Sequence, residues 1–148
     1  MNIWRFLASG FGAGYAPKAP GTFGSLVGLA LGAGLLGLGH VPLLAGVVVA
    51  SGLGLYATRR VGCAAEDPGW IVVDEIAGQM LTLLALSHLS LLGLALGLGL
   101  FRLFDILKPG PVGWADARHD EWGVMGDDLI AGGLAAAVVL LLRLALPL

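Results

Sequence analysis

Residues 101–109 read FRLFDILKP and directly follow residues 91–100, which contain only leucine, glycine and alanine. Such an apolar run is typical of a membrane helix, and three charged residues come directly after it. At about 100° per helical residue, Asp105 lies about 60° from both Arg102 and Lys108, so two cations bracket one carboxylate. Pro109 predicts the end of the helix. Because a charge at the centre of a membrane helix costs about 3 kcal/mol, we interpret this stretch as one wall of a charged site at the membrane surface.

The composition also indicates a membrane protein. The mean hydropathy is +0.91, and only 12% of the 148 residues are charged, against about 25% in a soluble domain. A net charge of −2 gives no reason to expect a nucleic acid as partner. The single cysteine, Cys63, excludes an internal disulfide. The length suits one domain over residues 1–148. The sequence gives no indication of an obligatory protein partner.

Five apolar stretches follow an aromatic N-terminal segment, residues 1–11, that is expected to lie in the headgroup layer. Residues 12–25 are rich in glycine and proline, which predicts a loop, with Thr22 or Ser25 capping the next helix. The apolar stretches are residues 26–38, 43–56, 71–87, 91–107 and 129–146. The first two form a predicted helical hairpin, and the pairs Gly28/Gly32 and Gly93/Gly97 are spaced for close helix packing. The sequence therefore predicts an all-α, multihelical membrane bundle with about five membrane helices.

The basic residues favour one orientation. They fall in the N-terminal region and in two polar loops, 58–73 and 108–128, as Arg5, Lys18, Arg59, Arg60, Lys108 and Arg118. The breaks at His40 and His88 contain no lysine or arginine. The positive-inside tendency predicts that both long loops face the cytoplasm, that the C-terminus lies outside, and that Arg143 snorkels towards that surface.

This topology brings acidic residues from distant parts of the chain to the cytoplasmic membrane boundary. They are Asp74, Glu75, Asp105, Asp127 and Asp128. Carboxylates that meet at a low-dielectric edge repel one another unless a cation binds among them. Their oxygens are hard ligands and no Cys/His cluster accompanies them, which favours Mg²⁺ over zinc or copper.

Simpler interpretations stay open for each group. Acidic residues at a helix N-terminus interact favourably with the helix dipole, which alone could explain Asp127-Asp128 and, less well, Asp74-Glu75. Asp105 lies near a helix C-terminus, where the dipole disfavours it, so its alternative is an ion pair with Arg102 or Lys108. The remaining ionisable loop residues are interpreted as solvated groups: Glu66, Asp67, Asp116, His119, Asp120 and Glu121.

The glycine-rich segment PGTFGS, residues 20–25, could present backbone N–H groups and two hydroxyls to an anion. It is not a Walker loop, because its lysine precedes the glycines. Beside a carboxylate–magnesium cluster and the cations Arg102 and Lys108, it indicates a phosphate ester as ligand. The corresponding chemistry is metal-assisted hydrolysis by water.

Four motifs resemble those of the bacterial phosphatidylglycerophosphatase A family. They occur in the family's order, as YAPKAPGTFGS (15–25), DPGWIVVDEIAGQ (67–79), FRLFDILKPGP (101–111) and GVMGDDLIAG (123–132). The resemblance implies a multihelical, magnesium-dependent phosphatase of the bacterial inner membrane, with its site facing the cytoplasm. Its substrate would be a phospholipid, phosphatidylglycerophosphate, which loses its terminal phosphate to give phosphatidylglycerol.

The resemblance also implies roles for individual residues. Lys18, Thr22, Arg102 and Lys108 match the polar and basic positions and are assigned to the substrate phosphate. We assign Glu75, Asp105, Asp127 and Asp128 to Mg²⁺ and Asp74 to the base or a supporting partner, so that the catalytic set is Asp74, Glu75, Asp105 and Asp128. Residues 120–123, DEWG, stand where a glycine pair is expected before the next glycine, and Gly126 replaces a usually larger residue.

Other functions remain as alternatives at this point. A phosphatase for another lipid phosphate monoester, such as phosphatidic acid, would need the same residues. A small transporter would carry its charges nearer the middle of the spans, and a scaffold protein would need none of them.

Overall fold

The computed structural model describes residues 2–66 and 68–148, and the regular structure in these residues is entirely helical. The α-helices are α1 (Ile3–Ala8), α2 (Pro20–Leu38), α3 (His40–Val61), α4 (Val73–Leu83), α5 (Leu91–Leu107), α6 (Pro111–Asp116) and α7 (Glu121–Leu142). Short 3₁₀ turns lie at Ala13–Tyr15 and Ala64–Glu66. The predicted all-α fold is confirmed.

Three of these helices, α2, α3 and α7, are long and apolar enough to cross a membrane. The helix α4 contains 11 residues, and at about 1.5 Å per residue it covers only about half of a hydrocarbon core. The helix α5 contains 17 residues. The predicted hairpin of α2 and α3 is confirmed, whereas the expected count of five membrane helices is not.

The helix α2 begins inside the segment that was expected to be a loop. Ala19 precedes the helix in a left-handed conformation, with φ 49°, and Pro20 occupies the first helical position, where its missing N–H costs nothing. The prediction that Thr22 or Ser25 caps this helix is wrong. Both residues lie within α2, and the Ser25 hydroxyl donates to the carbonyl of Gly21 at 2.8 Å.

The short helix α4 lies at the centre of the bundle and packs against α2, α3, α5 and α7. Glycines make this packing close. A Cβ added at Gly28 would lie 2.7 Å from the carbonyl oxygen of Ile76, and one added at Gly32 would lie 2.7 Å from the side chain of Leu83. The predicted role of Gly28/Gly32 and Gly93/Gly97 in helix packing is confirmed, because Gly93 and Gly97 also leave no free space for a side chain.

The helix α7 begins at Glu121, earlier than the expected start at residue 129. Asp120 caps it, because its side chain accepts a hydrogen bond from the Gly123 N–H at 2.8 Å. Asp127 and Asp128 therefore lie beyond the first turn of α7, where the helix dipole gives acidic residues little stabilisation. The dipole interpretation of this pair is wrong, and the DEWG segment forms a helix start.

Several helix ends meet at one end of the bundle. Glu121 at the start of α7 pairs with Arg59 near the end of α3, at 3.7 Å. The starts of α2 and α4 and the end of α5 meet there too, through Gly21, Glu75 and Arg102. At the opposite end, the His40 ring bonds the Leu86 carbonyl at 2.8 Å. There Arg143, expected to snorkel, donates to the Ala85 carbonyl at 2.9 Å.

Candidate active site

Three carboxylates from two helices form a compact cluster. Asp74 and Glu75 lie in the first turn of α4, and Asp128 comes from α7. Each offers one oxygen, and these oxygens all lie within 4.8 Å of one another. Asp74 and Asp128 are buried and Glu75 is half-buried. The close approach of α4 and α7 creates the cluster, because an added Cβ at Gly78 would lie 2.5 Å from the Asp128 carbonyl oxygen.

Two oxygens of this cluster lack partners among the residues that the structure describes. Oε2 of Glu75 and Oδ1 of Asp128 are buried and accept no hydrogen bond from the residues that the structure describes. Burying carboxylate oxygens without partners is costly. A set of hard oxygen donors with unused lone pairs fits a small divalent cation such as Mg²⁺, and the cluster contains neither histidine nor cysteine.

Arg102 and Asp105 lie beside the cluster, in the last turns of α5. Their side chains form an ion pair, so the expected contact between them is confirmed. Asp105 is also within hydrogen-bonding reach of Asp128. The guanidinium faces the start of α2, since an added Cβ at Gly21 would lie 3.2 Å from one of its nitrogens. Asp105 is therefore held between a cation and the carboxylate cluster.

Lys108 lies farther away and does not bracket Asp105 as the helical spacing suggested. It ends α5 in a left-handed conformation, with φ 47°, which turns it out of the helical path. Its ammonium pairs with Asp116 and, at 2.7 Å, with Asp127. Burial alone would lower the pKa of Lys108, but the hydrogen bonds and charges of these two carboxylates outweigh burial and raise the pKa.

The start of α2 closes the other side of the cluster. A Cβ at Gly21 would collide with Oε1 of Glu75, so only glycine leaves that carboxylate in place. Thr22 follows in the first turn and is half-buried, whereas Lys18 is exposed just before the helix. The positive end of the α2 dipole is thus directed at the same region as Arg102.

The chain is similar in sequence to known proteins over most of its length. The sequence model of phosphatidylglycerophosphatase A matches residues 6–143. The chain belongs to the phosphatidylglycerophosphatase A family. Phosphatidylglycerophosphatase A of Escherichia coli is 34% identical over 93% of this chain and 82% of its own length. The Haemophilus influenzae protein of the same name is 38% identical over 94% of this chain and 88% of its own length.

A third relative of this phosphatidylglycerophosphatase A family member carries a different name. A Bacteroides thetaiotaomicron protein named "Putative phosphatidylinositol-3-phosphatase" is 35% identical over 85% of this chain and 84% of its own length. No solved structure gives a significant match. The resemblance seen in the four motifs is confirmed, and the matched residues include the whole carboxylate cluster.

Two residues near the site of this family member were not assigned to it from the sequence. Asp116 was expected to be solvated, but it pairs with Lys108. Gln79 is fully buried one turn after Glu75. The available signals were that Gln79 is the single glutamine of the chain, inside an apolar stretch, and that it is the last residue of the motif at 67–79.

The other loop charges mostly follow the prediction. Glu66 and His119 are exposed, whereas Asp120 pairs with Arg118 at 2.8 Å and Glu121 with Arg59. Asp67 lies outside the described residues. A cavity of about 230 Å³ lies between Glu66, His119 and Asp127.

Proposed function

We propose that this chain hydrolyses the terminal phosphate of phosphatidylglycerophosphate to give phosphatidylglycerol, with Mg²⁺ as cofactor. Membership of the family makes the chain a phosphatase, that is, a phosphoric monoester hydrolase. The single observation that carries the cofactor is the cluster of Asp74, Glu75 and Asp128, whose oxygens lie within 4.8 Å of one another.

The roles proposed here differ in part from those assigned from sequence. Asp74, Glu75 and Asp128 would hold Mg²⁺, which polarises phosphoryl oxygens when bound. Asp105 is placed to orient the attacking water, because it is fixed by Arg102 and adjoins Asp128. The pairing of Asp127 with Lys108 favours a supporting role for Asp127 over the metal-ligand role.

The substrate phosphate would lie between the cluster and the start of α2. Arg102 supplies a planar donor set, and its Nε is buried without a partner among the described residues. Thr22 lies in the first turn of α2, at the positive end of the helix dipole. Lys18 is exposed just before this helix, where it could contact an incoming headgroup. Lys108 has three N–H donors and uses two on Asp116 and Asp127, which leaves one for the phosphate.

The test is phosphate release by the purified protein in detergent. The substrates are phosphatidylglycerophosphate, phosphatidic acid and phosphatidylinositol 3-phosphate, each with Mg²⁺ or with EDTA. We expect release from phosphatidylglycerophosphate with Mg²⁺ only. Phosphate release in EDTA would refute the need for Mg²⁺. Release from phosphatidylinositol 3-phosphate alone would show that this lipid is the substrate instead. It is the second candidate because of the name of the Bacteroides relative.

We also propose that the site faces the cytoplasm from the bacterial inner membrane. The basic residues Arg59, Arg60 and Lys108 lie at the same end of the bundle as the cluster, in accord with the positive-inside tendency. Cys63 follows α3 at this end, is half-buried and is the only thiol. A membrane-impermeant maleimide should label Cys63 in inverted vesicles and not in intact spheroplasts. Labelling in spheroplasts alone would show that the protein has the opposite orientation.

A further inference from the structure

Gln79 has a place in the bundle that packing alone does not explain. Its side chain is fully buried on α4, in a slot bounded by glycines of two neighbouring helices. An added Cβ at Gly28 on α2 would lie 3.1 Å from its Cβ, and one at Gly97 on α5 would lie 3.9 Å from its Nε2. Both neighbouring helices therefore carry glycine where they face this glutamine.

The amide of Gln79 makes no hydrogen bond to the residues that the structure describes. Both Oε1 and Nε2 are buried and without a partner. Burying an amide without partners is costly, whereas an apolar side chain of the same size would carry no such cost there. The protein thus keeps a costly group at this position, which points to a role in the loaded site.

A hydrogen-bond acceptor for the Gln79 amide lies one helical turn away, in the carboxylate of Glu75. Residues four apart on a helix are neighbours on its surface, so Gln79 and Glu75 project from the same side of α4. Oε1 of Glu75 faces Gly21, while Oε2 is buried without a partner. Asp74 and Asp127 already have backbone donors: Asp74 accepts the Glu75 N–H at 3.0 Å, and Asp127 accepts the Asp128 N–H at 2.9 Å. Oδ1 of Asp128 is also without a partner among the described residues, but it lies on α7 and not on the helix that carries Gln79.

We infer that Gln79 is a positioning residue whose Nε2–H holds Oε2 of Glu75 when a divalent cation occupies the cluster. This role rests on the proposed function of Glu75 as a ligand. Carboxylates that bind metals are usually hydrogen-bonded in turn, and loss of such a partner typically lowers metal affinity about 10- to 100-fold. Arg102 Nε is the other buried donor nearby without a partner, and it is assigned above to the phosphate.

The test is the Mg²⁺-dependent thermal stabilisation of the full-length protein in detergent, which needs no substrate. Gln79→Met removes the amide and keeps the side-chain length, and Gln79→Leu provides a second apolar variant. We expect the Mg²⁺ concentration for half-maximal stabilisation to rise about 10- to 100-fold in both. Their melting temperatures in EDTA should equal or exceed that of the wild type, because an unpaired buried amide has been removed.

The matched control is Thr82→Val. Thr82 is also fully buried on α4, but its hydroxyl already has partners, the carbonyls of Gly78 at 3.1 Å and Gly132 at 3.3 Å. Thr82→Val should lower the melting temperature in EDTA and leave the half-maximal Mg²⁺ concentration unchanged. An unchanged Mg²⁺ response in both Gln79 variants would refute the role of Gln79 and leave the proposed function intact. A wild-type protein without any Mg²⁺ response would refute the cofactor itself.

Discussion

The ammonium of Lys108, at the end of α5, lies 2.7 Å from a carboxylate oxygen of Asp127 on α7. This ion pair joins two helices that each carry part of the site, since Asp105 precedes Lys108 and Asp128 follows Asp127. Asp127 is buried and Lys108 is partly exposed. The pair therefore fixes the position of α5 relative to the carboxylate cluster.

Lys108→Met should destabilise the protein, because it leaves the carboxylate of Asp127 buried without a cation. We expect a loss of about 2 kcal/mol in the free energy of unfolding in detergent. The double variant Lys108→Met/Asp127→Asn should recover part of this loss. Additive effects of the two changes would show that the pair contributes no coupling.

The pH dependence of this coupling follows from the direction of the Lys108 pKa shift. Its pKa is raised in the folded protein, so its contribution to stability is fully present below the unfolded pKa and is lost only as the pH rises through the folded value. We expect the coupling measured by the double-variant cycle to stay constant between about pH 8 and pH 10, a range in which Lys108 keeps its proton. A decline within this range would contradict the raised pKa.

Gly21→Ala tests the contact between α2 and the cluster. The new methyl group would displace the Glu75 carboxylate, a flexible side-chain end, so the fold should persist. Because a displacement of about 1 Å in an active site can cost about 100-fold in rate, phosphate release should fall by this order. Gly34→Ala is the control on the same helix, since its Cβ would meet nothing within 4 Å. The control should keep full activity, and equal activity losses in both variants would contradict the contact.

Gly132→Ala tests the approach of α7 to α4. The added Cβ would collide with the carbonyl group of Gly78, which is backbone and cannot move aside. We expect a loss of about 1–3 kcal/mol in the free energy of unfolding. The neighbouring change Gly133→Ala meets nothing within 4 Å and should stabilise the helix by about 0.5–1 kcal/mol. If both substitutions changed the free energy of unfolding in the same direction, α7 and α4 would not be in the contact described.

Asp128→Asn and Asp127→Asn test which residues bind Mg²⁺. Both proposed ligand sets contain Asp128, but only the set assigned from sequence contains Asp127. Asp128→Asn should lower phosphate release by more than about 100-fold and abolish thermal stabilisation by Mg²⁺. Asp127→Asn should lower stability through Lys108 and keep the Mg²⁺ response. Loss of that response in Asp127→Asn would support the metal-ligand role predicted from sequence.

The gathering of charges at one end of the bundle could be predicted from sequence, because nearly all acidic and basic residues fall at alternate ends of the apolar stretches. The partner of Lys108 could not be predicted. Helical spacing places it beside Asp105, but the left-handed turn at Lys108 redirects the side chain towards Asp127. Local spacing describes neighbours only while the helix continues.

Two helix boundaries, the start of α7 and the end of α4, were also not predicted from the sequence pattern. Residues 120–128 contain four acidic residues and two glycines, which suggested a loop, yet Asp120 caps a helix that begins at Glu121. Residues 71–87 are apolar throughout most of their length, but α4 ends at Leu83 without a proline or glycine to mark the end. A local capping side chain marks the first boundary, and hydropathy reports neither this cap nor the end of α4.

The shortness and central position of α4 have a consequence for the response to the surrounding lipid. Nearly all of its side chains contact protein, so its environment is set by α2, α3, α5 and α7. Thickening or thinning the bilayer acts on the tilt of the outer helices, at a cost of fractions of a kcal/mol per Å. The surroundings of Asp74 and Glu75 on α4 should therefore change little with acyl-chain length, whereas Asp128 follows the tilt of α7, a helix long enough to cross the membrane.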